Sequence, residues 1–88
     1  PNPSSTQAHI VYSYPAGTTD IMLRVSNITG ALVFSKELST ADTEYLWNLE
    51  SNGGDPLPNG LYFYVITAKD ASGKTIKSKP IFKLLIDR

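Results

Sequence analysis

The residues able to do chemistry in this 88-residue chain are few and widely spaced. His9 is the only histidine. The alternation around it sets it on the outward face of a strand, with no serine on a nucleophile elbow to complete a triad. The eight carboxylates are scattered over turns and strand ends, where solvated charge is their ordinary state. Asn52 and Asp55 offer oxygens of the kind calcium accepts, yet their spacing fits no calcium loop, and Asx residues equally build turns. Without cysteine there is no thiolate nucleophile, no disulfide and no cysteine-rich zinc site, so packing alone must hold the domain. The expectation is a non-catalytic module with no catalytic residue, no metal and no cofactor; any catalysis by the parent protein belongs to another part of it.

Two further features have both a chemical and a structural reading. Five Tyr, three Phe and one Trp are enough aromatic surface to stack on sugar rings, but in a domain this small most of them must fill the core. Asn27-Ile28-Thr29 fits an N-glycosylation sequon, and it also stands where a hairpin has to turn.

The elements that must position these residues are strands. Pro1 to Gln7 is polar and rich in turn formers, a linker into a domain spanning 8–88. Ala8 to Tyr14 alternates with Ile10, Tyr12 and Tyr14 on one face. Asp20 to Ile28 places Ile21, Leu23 and Val25 together, and Ala31 to Leu38 places Leu32, Phe34 and Leu38 together. With the turn around Gly30 the two form a hairpin. Glu44 to Leu49 carries Tyr45, Trp47 and Leu49 at period two. Residues 52–60, with three glycines and two prolines, cannot continue a sheet. Leu61 to Ala68 is apolar or β-favouring on both faces, as a central strand would be. After a turn around Gly73, Thr75 to Ile86 makes a last strand or pair of strands, interrupted at Pro80. About seven short strands without helical periodicity predict an all-β, immunoglobulin-like (fibronectin type III-like) antiparallel β-sandwich. Its expected core is built on Tyr12, Leu23, Val25, Trp47, Tyr62 and Tyr64.

Acidic and basic residues balance at eight each, which gives nucleic acid or an anionic membrane no net field to hold. No apolar run reaches the length of a membrane span. Six of the eight basic residues fall in the last twenty positions, as solvating charge on strand edges or as a recognition surface. The chain opens on proline, which reads as a piece of a longer protein.

The order and spacing of several segments resemble a known group. They are Pro1-Asn2-Pro3, the strand Ile10 to Tyr14 with Pro15, and Leu23 to Val33 around Asn27-Ile28-Thr29-Gly30. Trp47-Asn48, Gly54 to Tyr64 with Gly60-x-Tyr62-x-Tyr64, and Lys83-Leu84-Leu85-Ile86 complete the set. Together they resemble the immunoglobulin-like domains of the flagellar hook-capping family and the C-terminal sorting domains of type IX secretion cargo. Ser4 and Asn48 stand where that group often has an aromatic and an acidic residue. The resemblance implies an extracytoplasmic module of a secreted or cell-surface bacterial protein, most specifically a C-terminal sorting and anchoring domain. The alternatives are an accessory spacer beside a catalytic domain and a carbohydrate-binding module. Its implied partners are the neighbouring domain of the same polypeptide and the secretion machinery, met through Lys77, Lys79, Lys83, Leu84, Leu85 and Ile86 as charge on an exposed strand edge.

Overall fold

A computed structural model describes residues 7–78 and 81–87, with backbone only at 77 and 78. Among these described residues, seven antiparallel strands form an immunoglobulin-like sandwich. They are β1 (Ala8–Val11), β2 (Asp20–Asn27), β3 (Leu32–Leu38), β4 (Glu44–Trp47), β5 (Gly60–Lys69), β6 (Thr75–Ser78) and β7 (Phe82–Ile86). One sheet holds β1 and β4. The other runs β3-β2-β5, with β6 and β7 dividing the far edge of β5 between them.

Period-two burial builds the core between the sheets. Ile21, Leu23 and Val25 of β2 meet Ile10 and Tyr12 of the first strand region, Trp47 and Leu49 of the fourth, and Leu84 and Ile86 of β7. Trp47 is fully buried, stacked on Phe34 at 5.0 Å, and its indole N–H donates to the Glu50 carbonyl at 3.1 Å. A buried indole needs such an acceptor.

Two turns share one chemistry. Asn27 Oδ1 accepts from the Thr29 N–H, the Thr29 hydroxyl and the Ala31 N–H, at 3.0, 2.7 and 3.0 Å. Asp70 Oδ1 accepts the matching three bonds from Ser72 and Lys74, at 2.9, 2.6 and 3.1 Å. Gly30 and Gly73 sit at the same place in each, at φ 88° and 85°, a left-handed conformation in which a side chain would be strained. The sequon at Asn27 is thereby a β2–β3 turn whose Asn oxygen is fully used.

Three strand expectations change. The first strand ends at Val11 rather than Tyr14, and Tyr12 continues only as far as an N–H bond to the Thr43 carbonyl. Leu32 was expected beside Phe34 on the inner face, but an extra residue in β3, Val33, opposite Val25 and Ser26, shifts the register and leaves Leu32 57% exposed. Leu49 is buried but lies beyond β4, because its φ of 62° turns the chain out of the strand. From there residues 49–57 fold into a small hairpin of their own, closed by Leu57 N–H to Leu49 O at 2.9 Å and Ser51 N–H to Asp55 O at 2.8 Å.

Candidate recognition surface

Tyr62 anchors the centre of the molecule. It is buried, and its hydroxyl donates back to the Pro58 carbonyl at 2.8 Å, the tyrosine-corner bond of immunoglobulin-like sandwiches. Tyr64, two residues on, is half-buried against the core and stacks on Phe82 of β7 at 5.0 Å, and burial pushes its phenol pKa up. The Gly60-x-Tyr62-x-Tyr64 spacing thus places both rings on the inner face of β5, where they hold β7 in place through Tyr62↔Leu84 and Tyr64↔Phe82. Tyr12 is buried, and its hydroxyl donates to Ser39 O at 2.7 Å. Burial first, then the nearby Asp42 and Tyr14, raise its pKa. Leu23 and Val25 are fully buried.

The C-terminal residues divide by the pleat. Lys83 and Leu85 face outward, Lys83 opposite Phe63 and Leu85 opposite Leu61. Leu84 and Ile86 were expected to be presented to a partner, but they are 5% and 1% exposed and belong to the core. Alternation in a strand covered on one face allows only every second residue outside. Lys79 lies outside the described residues, and so does the side chain of Lys77.

Residues named for other chemistry are placed elsewhere. His9 Nε2 lies 3.1 Å from Glu44 across the β1–β4 ladder, both largely exposed, so the only histidine sits on an outer face beside a carboxylate. Among the described residues no three His, Cys, Asp or Glu side chains gather as a metal site. Asn52 is engaged otherwise: its Oδ1 accepts from the Ser35 N–H and its Nδ2 donates to the Ser35 carbonyl, both at 2.8 Å. One amide therefore occupies the outer edge of β3 as a paired strand would.

Sequence reasoning missed the outer face of β5. There Leu61, Phe63 and Val65 stand with Leu85 and Ile81, and a groove of about 390 Å³ opens between β5, Ile81 and the end of β2. The signal was available in the two-faced apolar character of residues 61–68.

Residues 1–83 match the family described as the secretion system C-terminal sorting domain. The chain belongs to this family. Among solved structures, the sorting domain is similar to part of dimeric latent PorU from Porphyromonas gingivalis. The TM-score is 0.76 with 22% identity over 98% of this chain. It is also similar to FlgD from P. aeruginosa, with a TM-score of 0.67 and 17% identity over 91% of this chain. At such identities these likenesses concern the fold. The sorting domain spans 8% of the PorU chain and 62% of the FlgD chain. Comparison with curated proteins yields no match.

Proposed function

We propose that this domain is the folded C-terminal signal of a secreted or cell-surface bacterial protein, read by the type IX secretion machinery after export to the periplasm. The observation that carries this reading is the family match over residues 1–83, which takes in β1 to β6 and enters β7. The physical reading agrees with it. The one histidine and the scattered carboxylates support recognition rather than catalysis, and the side chains available for recognition lie on sheet surfaces. Within the proposed signal, Lys83 and Leu85 are the recognition residues of β7, while Leu84 and Ile86 act indirectly by fixing that strand to the core.

The test fuses residues 1–88 to the C-terminus of a periplasmically exported fluorescent protein in a bacterium with type IX secretion. Cargo should reach the surface or medium only when that machinery is intact, and Lys83→Ala with Leu85→Ala should lower the exported fraction without unfolding the domain. A folded fusion that stays in the periplasm would overturn the proposal.

A further inference from the structure

One end of the outer face of the five-stranded sheet, around Phe63 and Val65, is apolar where a solvated sheet face is ordinarily polar, while Asp20, Glu37, Thr67 and Lys69 keep the other end polar. Phe63 and Val65 on β5, Ile28 after β2 and Ile81 before β7 line the groove. Ile28 and Ile81 are each 70% exposed, and the register pair Leu61 and Leu85 extends the patch at 38% and 39%. A strand apolar on both faces suits a sheet covered on both faces, and among the described residues only one face of β5 is covered. Contiguous apolar surface of this kind marks a contact site.

The strand pairing restricts what fits. β5 is hydrogen-bonded to β2 along one edge and, along the other, to β7 over residues 60–64 and to β6 over residues 67–69, so among the described residues its backbone offers little edge to an incoming strand. An occupant must satisfy its own backbone and contribute side chains only, which is how a helix covers a sheet.

Charge restricts it further. Arg24 lines the groove and is exposed, no carboxylate lines it, and among the described residues no ion pair engages Arg24. Glu37 lies farther along the same face, opposite Met22.

We infer that this groove docks an amphipathic helix of a partner protein, its apolar stripe covering Phe63, Val65, Ile28 and Ile81 and a flanking carboxylate pairing with Arg24. The groove borders Leu85, which the proposed secretion signal also uses, but the inference is tested without secretion. Two stapled helical peptides sharing one leucine stripe, with flanking Glu in one and Lys in the other, are titrated into the isotope-labelled 88-residue chain and followed by NMR.

The Glu peptide should shift the amides of Ser26, Phe63, Val65 and Ile81, leave β1 and β4 untouched, and bind about fivefold more tightly than the Lys peptide. Added salt should erase that difference. Arg24→Glu should reverse the preference. Should that variant fail to fold, Arg24→Gln should narrow the difference between the two peptides, leaving only the share owed to Lys83 opposite Phe63. Equal binding of both peptides by the unaltered chain, shifts spread over both sheets, or no binding of either would overturn the inference. So would self-association in sedimentation that broadens these same amides, or binding of anionic lipid vesicles in place of the Glu peptide.

Discussion

Trp47 concentrates more of the packing than any residue near it, with no exposed surface, a stacked partner in Phe34 and a satisfied indole N–H. Trp47→Ala should cost about 3–5 kcal/mol, read by urea denaturation followed by circular dichroism. Tyr62→Phe keeps the ring and removes only the bond to Pro58, so it should cost about 1 kcal/mol. Asp70 is a case where pH enters. Hydrogen bonds from Ser72 and Lys74 hold its carboxyl below the ordinary 3.8, although burial opposes them. A depressed folded pKa means the unfolded chain takes up the proton first, so the stabilisation is present above 3.8 and is lost as pH falls through the folded value. Asp70→Asn keeps an acceptor in the turn, as Asn27 does in the other, and should flatten the acid limb of a melting-temperature profile. An unchanged limb would show that other carboxylates set it.

At the level of elements, edges matter most. Asn52 fills the hydrogen-bonding positions of Ser35 on β3, and edge strands left open invite pairing with another copy. Asn52→Ala should leave the monomer folded, since water can replace both bonds, yet produce concentration-dependent oligomers in sedimentation. Asn52→Asp should stay monomeric, because its charge guards the edge even though the donor is lost. Oligomers absent from the alanine variant at every concentration would remove this role from Asn52. In β7 the pleat makes a sharper contrast. Leu84→Ala should cost about 2–5 kcal/mol and Leu85→Ala about 1 kcal/mol or less, measured side by side in thermal melts.

For the whole molecule, the topology sets the folding rate. β1 pairs with β4, β2 with β5, and β5 with β7, so each ladder except the hairpins closes a long loop before it gains contacts. Folding on the millisecond-to-second scale is expected, slow for so short a chain, and stopped-flow fluorescence of Trp47 would measure it. Microsecond folding would contradict this account. With no cysteine, stability should be indifferent to reductant.

The sequence by itself determined the all-β class, the approximate strand positions and part of the core, because a two-residue period and turn chemistry are local properties that Ile21-Met22-Leu23-Arg24-Val25 or Asn27-Ile28-Thr29-Gly30 display on their own. The family also lay in the order of short segments such as Gly60-x-Tyr62-x-Tyr64. Only the tertiary structure decided which side each face turned. Leu32 went outward because an extra residue in its own strand, Val33, shifted its register against β2, Leu84 and Ile86 went inward because β7 joined β5, and Asn52 became the guard of an edge seventeen residues away. The apolar second face of β5 was visible as composition, but whether anything covers it depends on the arrangement of both sheets. Period and turn chemistry act between neighbours in the chain, whereas register, edges and exposed faces arise from pairings between distant strands, and no window of sequence contains both partners.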